Sequence, residues 1–153
     1  MLIERRSSTD PEVAALVATQ QRELAEAQRV GRPVDPAAYP LHDDAHYLVC
    51  VVSGRAVACG AVRSLDGRIA EITRMYVRPA YRGRGIARHL LTALEESAYA
   101  LGHTVLRLET GSYLPAALHL YATAGYAQIP VYGEYVGNPY SVCFEKRAPV
   151  VAA

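Results

Sequence analysis

The 153-residue sequence has no tryptophan, one phenylalanine and three cysteines. An odd cysteine count without C-x-x-C spacing does not make a disulfide framework, and it points to a reducing, intracellular setting. Neither sign of charge dominates, with 16 Lys and Arg against 15 Asp and Glu for a net charge of +1. That balance argues against a protein that grips nucleic acid through a broad basic face. Long apolar runs are missing too: each is broken by Arg, Gly or His well short of a membrane span. No apolar h-region follows the charged start Glu4-Arg5-Arg6, so no secretory signal is read. Fixed-period repeats are absent. The expectation is one cytoplasmic domain over residues 1–147, with 148–153 as a small apolar tail that frays. A chain of this length buries roughly two thirds of the surface its unfolded form exposes. Tyrosine, by contrast, is abundant at eleven copies, so nearly all aromatic surface carries a hydroxyl.

A strand is expected over 2–5. Asp10 followed by Pro11 then reads as an N-cap and N1 pair, opening a helix to about residue 29 on Val13, Leu16, Val17 and Leu24. Residues 31–44 hold three prolines and read as a loop. Strands follow at 46–52, 56–63 and 69–77, separated by the turn signals Ser53-Gly54-Arg55 and Asp66-Gly67. A helix is predicted over 86–101 from Ile86, Leu90, Leu91, Leu94 and Ala98, with Gly102 as its stop. A strand over 104–108, a helix over 116–124 and strands near 126–129 and 141–145 complete the order β-α-βββ-α-β-α-ββ. An antiparallel meander followed by helix-linked strands makes a mixed α/β sheet with helices on its faces.

Residues 82–87, Arg-Gly-Arg-Gly-Ile-Ala, lie between a strand and the long helix. The first amides of a helix have no intrahelical acceptor, and the helix dipole adds positive character. With Gly83 and Gly85 allowing close approach and Arg82 and Arg84 supplying charge, the segment reads as a phosphate or pyrophosphate cradle. Ile86-Ala87 after Gly85 fails a P-loop, and Arg88 stands where a dinucleotide fingerprint needs glycine. The bland alternative is a glycine-rich connector that caps a helix and binds nothing.

Here the sequence resembles the GNAT superfamily of acyl-CoA-dependent N-acetyltransferases. Arg82-Gly-Arg-Gly85-Ile-Ala87 fits that family's Gln/Arg-x-x-G-x-G/A motif, and Leu120-Tyr121-Ala-Thr-Ala-Gly125-Tyr126 fits its Leu-Tyr-x-x-x-Gly-Phe/Tyr signature. The strand order matches over roughly residues 2–146. The resemblance implies a V-shaped opening between the strands ending at Val77 and near Thr110. Acetyl-CoA would be the cosubstrate, with no metal. Its pantetheine arm would hydrogen-bond the backbone of Met75 and Val77 as an added strand does. The pyrophosphate would sit on the amides of Arg84, Gly85, Ile86 and Ala87.

Acetyl transfer to an amine needs a base for the ammonium, donors for the oxyanion and an acid for the departing thiolate. Strand alternation places Glu71, Thr73, Met75 and Val77 on one face. In some members of the family a glutamate eleven residues before the glycine motif acts as base, and Glu71 stands at that spacing. The alternative is a strand residue paired with Arg74 or Arg107. Glu109, at the end of the opposite strand, is the rival base or an ammonium-binding carboxylate, with a surface ion pair as the bland reading. Tyr121 stands where the family's tyrosine protonates the thiolate. Leu114 stands where many members carry Asn or Gln.

His42-Asp43-Asp44-Ala45-His46 resembles a metal cluster, but no distant Cys/His pair completes one; a polar rim of the acceptor site is the preferred reading. Cys50, Cys59 and Cys143 read as unreactive thiols. Asp43, Asp44, Glu109 and Glu134 suggest a small cationic acceptor or a lysine or N-terminal amine, with Tyr132 and Tyr135 packing on it. The expected activity is acetyl transfer by direct attack. The alternatives are a non-catalytic acyl-CoA sensing module and a toxin acting on charged tRNA, against which the +1 charge speaks. A homodimer is compatible with the family.

Overall fold

The computed structural model describes residues 1–27 and 44–149. The chain runs β1 (Leu2–Arg6), α1 (Pro11–Ala27), β2 (His46–Val52), β3 (Arg55–Ser64), β4 (Ile69–Val77), α2 (Ile86–Ala100), β5 (Val105–Gly111), α3 (Pro115–Thr123), β6 (Ala127–Ile129) and β7 (Ser141–Arg147). The element order is the one the sequence predicts. The expected loop over 31–44 lies, except for Asp44, outside the described residues. Short 3₁₀ turns sit at Pro79–Tyr81 and Gly133–Tyr135. Seven strands form one mixed sheet in the order β1-β2-β3-β4-β5-β7-β6. β4 and β5 run parallel, joined by the α2 crossover; the other neighbours are antiparallel.

Local chemistry accounts for the element boundaries. Asp10 Oδ1 accepts from the amides of Glu12 and Val13 at 2.9 and 3.2 Å, capping α1 as expected. Asp66 Oδ1 accepts from the amides of Arg68 and Ile69 and closes the β3–β4 connection. Ala148 N, just after β7, donates to Thr104 O at 2.8 Å.

Each face of the sheet has its own core. Leu90, Leu91, Leu94 and Ala98 of α2 pack on Val57, Val62, Ala70, Ile72, Leu106 and Leu108. Val13, Leu16 and Val17 of α1 pack on Tyr47, Val49, Cys59, Ala61 and Tyr76 across the sheet. Full burial of each such leucine or valine contributes roughly 1.5–3 kcal/mol. Gly60 lets α2 approach closely, since a Cβ there would lie 2.6 Å from Leu94 Cδ1 and 3.2 Å from Met75 Sδ. Among the described residues no helix is long and apolar enough to cross a membrane.

Two irregularities open the sheet. The parallel pairing of β4 with β5 covers only Ile69–Val105, Ala70–Leu106 and Glu71–Arg107, after which the strands diverge. Within β4 the register against β3 slips: Cys59 and Ala61 lie opposite Tyr76 and Thr73, so β4 carries an extra residue. Arg74 takes up the bulge at φ +59°, a left-handed conformation uncommon for a non-glycine residue. This corrects the expected face of β4. Ala70 and Ile72 pack toward α2, and beyond the bulge Met75 and Val77 do so as well. Glu71 lies on the opposite face, away from Met75 and Val77, because one inserted residue inverts the alternation.

Candidate active site

The divergence of β4 and β5 leaves a cleft of about 740 Å³. β4 from Ile72 to Val77 forms one wall, Glu109, Thr110 and Gly111 of β5 the other, and the start of α2, the face of α3 and part of the 133–140 segment complete it. The opening lies where the resemblance implied, between the strand ends at Val77 and Thr110.

The glycine loop forms the floor at one end. Gly83 and Gly85 adopt φ of +76° and +79°, and nothing lies within 4 Å of a Cβ built at either. Glycine is therefore required by the left-handed backbone rather than by crowding, and the surrounding space is open to a ligand. Gly85 is the N-cap of α2, its carbonyl accepting from His89 N at 3.1 Å. The first-turn amides of a helix have no intrahelical acceptor, a donor set suited to a pyrophosphate. Gly83, Gly85, Ile86 and Ala87 line the cleft, as do Met75 and Val77.

The two arginines of the loop have protein partners of their own. Arg82 borders the cleft, but its Nε donates to Val77 O at 2.9 Å and its Nη2 contacts Glu23 at 3.2 Å. Its guanidinium also stacks on Tyr76 at 5.6 Å. It works as a strut joining the end of β4 to α1. Arg84 stacks on Tyr81 at 5.2 Å and does not line the cleft. Of these two side chains only that of Arg82 borders the cleft, and both are engaged by neighbouring protein groups.

At the other end stand a carboxylate and a phenol. Glu109 lines the cleft and accepts from Ser141 Oγ at 2.6 Å. Burial raises its pKa above the ordinary carboxylate value, opposed by the Ser141 hydrogen bond and reinforced by the charges of Glu71 and Glu134. Tyr121 lines the same cleft, its ring edge-on to Tyr126 at 5.9 Å and tilted against Phe144 at 6.2 Å. Burial raises its pKa, and the negative charge of Glu109 adds to the shift. It remains a protonated phenol across the physiological range.

The other candidates divide. Glu134 and Tyr135 line the cleft. Glu71 and Tyr132 do not. Glu71 is 1% exposed, with Arg63 Nε 3.2 Å from its Oε1 and the hydroxyls of Tyr132 and Tyr135 donating to Oε2 at 2.6 and 3.3 Å. Its ion-pair partner is Arg63, not the expected Arg74 or Arg107. Asp44 lies in a separate hollow with Arg5, Arg6 and Ser7, away from the cleft; Asp43 falls outside the described residues. Among the described residues no group of three His, Cys, Asp or Glu side chains sits together as metal ligands would. All three cysteines are free and buried, and burial pushes the Cys59 thiol up to about 12.

Sequence reasoning missed Gln20. It lines the cleft from α1, and its Nε2 donates to Met75 O at 2.8 Å. Its Oε1 is buried with no partner among the described residues, an orphaned acceptor that a ligand N–H would satisfy. The signal was present: Gln20 falls on the stripe of Val13, Leu16, Val17 and Leu24, a polar residue in an apolar row. Asn138 and Tyr140 also border the cleft and had no such signal.

A family model described as the acetyltransferase (GNAT) family matches residues 14–126. The chain is 39% identical over 104 residues to an IAA acetyltransferase of Azospirillum brasilense, covering 67% of this chain and 68% of that one. It is 33% identical over 91 residues to an uncharacterised N-acetyltransferase of Bacillus subtilis, covering 58% of this chain and 60% of that one. A candidate acyl-CoA N-acyltransferase of Klebsiella pneumoniae has a TM-score of 0.79 at 31% identity, over 95% of this chain and 96% of that one. A GNAT acetyltransferase of Elizabethkingia anophelis with acetyl-CoA bound shares the fold at a TM-score of 0.71 and 14% identity, over 95% and 97%.

Proposed function

Because the chain belongs to the GNAT acetyltransferase family and is an acyl-CoA-dependent N-acetyltransferase, we propose that it moves an acetyl group from acetyl-CoA to a primary amine by direct attack, with Glu109 as base and Tyr121 as acid. The observation that carries this reading is the pairing of Glu109 and Tyr121 in one cleft, both with raised pKa values. A carboxyl group with a raised pKa is a better match to an amine's proton than an ordinary glutamate, and a neutral phenol holds the proton that a leaving thiolate needs.

Acetyl-CoA, when bound, supplies the thioester carbonyl. Glu109 draws one proton from the incoming ammonium, which frees its lone pair to form the C–N bond. Backbone N–H groups of β4 near Met75 and Val77 are the donors available to the carbonyl oxygen as it gains charge. The C–S bond then breaks, and Tyr121 gives its proton to the sulfur. The nitrogen, positively charged once the C–N bond forms, loses its second proton to solvent or to the tyrosinate, which restores the phenol, and Glu109 releases its proton to solvent. Gly83, Gly85, Ile86 and Ala87 would hold the pyrophosphate through their backbone, and Met75 and Val77 the pantetheine.

Glu109 and Glu134 on the cleft wall favour a cationic acceptor, a small polyamine-like or aminoglycoside-like amine or a lysine side chain. Three buried free thiols fit a cytoplasmic setting.

The test is free-thiol release from acetyl-CoA against a panel of polyamines, aminoglycosides, amino acids and lysine peptides. Amine-dependent turnover that is lost in Tyr121→Phe and in Glu109→Gln supports the reading. Tight CoA binding with no amine-dependent thiol across the panel would replace it with a non-catalytic acyl-CoA binding module.

A further inference from the structure

Glu71 is a buried carboxylate outside the cleft lining, more deeply buried than Glu95. It is the last residue of β4 to pair with β5, at the vertex where the two strands part. Both its oxygens are engaged: Oε1 faces Arg63, and Oε2 receives the Tyr132 and Tyr135 hydroxyls. A proton acceptor must reach its substrate, and a 1%-exposed carboxylate outside the cleft lining does not.

What Glu71 does reach is the segment between β6 and β7. Tyr132 caps its 3₁₀ turn and Tyr135 is the turn's last residue, their rings edge-on at 5.5 Å. Arg107 of β5 stacks on the Tyr132 ring at 5.4 Å and is held in turn by Glu145 at 3.0 Å. The same segment sends Glu134, Tyr135, Asn138 and Tyr140 into the cleft. Most of its backbone hydrogen bonds are internal, from Tyr135 N to Tyr132 O, Val136 N to Gly133 O and Asn138 N to Tyr135 O. Besides the bond from Ser112 N to Tyr140 O at 2.8 Å, two phenols on one carboxylate tie the acceptor side of the cleft to the sheet.

We propose that Glu71 is a positioning residue, which clamps the 130–140 segment onto the β4–β5 vertex through Tyr132 and Tyr135 and so sets the acceptor wall of the cleft. The assignment rests on the acetyltransferase reading with Glu109 as base. It also divides the two glutamates' tasks: one takes the proton, the other shapes the site that delivers it. The buried charge is tolerable because Arg63 compensates it and two O–H donors satisfy it.

The test uses the full chain with Glu71→Gln, Tyr132→Phe and Tyr135→Phe. Hydrogen exchange over 130–140 needs no acceptor, and both Glu71→Gln and Tyr132→Phe should speed it by about tenfold or more. CoA affinity by calorimetry should hold within about threefold, since the glycine loop lies at the other end of the cleft. With the amine that supports turnover, both variants should raise its KM by about tenfold, hold kcat within about threefold and keep the acid limb of the pH profile. A Glu71→Gln enzyme with unchanged exchange, normal KM, a kcat lowered by about a hundredfold or more and no acid limb would make Glu71 the base and overturn the clamp. Unchanged exchange and KM in Tyr132→Phe would overturn it equally, and that variant decides the matter should Glu71→Gln fail to fold. If no amine supports turnover, the catalytic reading fails by itself, while exchange over 130–140 still tests the clamp.

Discussion

Ser141 Oγ donates a 2.6 Å hydrogen bond to Glu109 Oε2 from the neighbouring strand β7, two residues along the ladder from Glu109's register partner Cys143. The hydroxyl is the stabilising contact of a carboxylate that its surroundings otherwise disfavour. Burial and the charges of Glu71 and Glu134 push the pKa of Glu109 up, and Ser141 pulls it down.

Replacing Ser141 with alanine should therefore raise the Glu109 pKa further. Glu109 acts as base only when ionised, so the acid limb of the kcat/KM profile should move to higher pH. A limb that stays put or moves down in pH would remove Glu109 from the role of base.

Glu109→Gln should separate activity from stability. Loss of the base should lower kcat/KM by roughly 10²–10⁴-fold. Stability should move the other way. A carboxyl group whose folded pKa is raised binds more protons folded than unfolded, so the wild type loses stability as pH rises from the unfolded value through the folded one. Glutamine avoids that loss. Thermal melts should show the variant gaining on the wild type above the window and the difference shrinking below it. A variant that is less stable at neutral pH but not in acid would contradict the assignment.

Gly85→Ala tests the cradle. Nothing lies within 4 Å of the new Cβ, so the penalty comes from the left-handed backbone, about 1–2 kcal/mol. Relaxation toward negative φ would turn the first α2 amides away from the cleft. Calorimetry should show weakened CoA binding in a folded protein. Full CoA affinity alongside a lowered melting temperature would mean the loop only caps the helix.

Gly60→Ala tests the packing behind the cleft. The added methyl meets Leu94 Cδ1 at 2.6 Å, within the side-chain core between α2 and the sheet. Overpacking there should cost about 1–3 kcal/mol in a denaturant titration. Pairing it with Leu94→Ala should recover less than additive damage, because the two changes share one volume. Strict additivity would show that α2 does not press on Gly60.

Most of the fold was legible because its signals are local. The Asp10-Pro11 cap, the α2 stripe of Leu90, Leu91, Leu94 and Ala98, and the Asp66 turn each act over a few residues, and each reappears in the structure where expected. The glycine loop was equally readable, since a left-handed backbone before a helix leaves its mark in composition. The protein contacts of the arginines within it were not readable. Whether a guanidinium faces a phosphate or the carbonyl of Val77 and the carboxylate of Glu23 depends on α1, over fifty residues away.

The sequence by itself determined the order of elements, the family and the glycine loop before α2, because helix periodicity, capping and turn chemistry are short-range properties of the chain. Only the tertiary structure decided which glutamate meets the cleft. Alternation along β4 put Glu71 beside Met75 and Val77, but the bulge at Arg74 reverses the faces between them. Once turned, Glu71 is held by Arg63 from β3 and by tyrosines some sixty residues away, and Glu109 is the glutamate of the two that lines the cleft, on the wall formed by β5. A one-residue slip in strand register depends on how two strands and a helix pack together, and no window of the sequence contains all three.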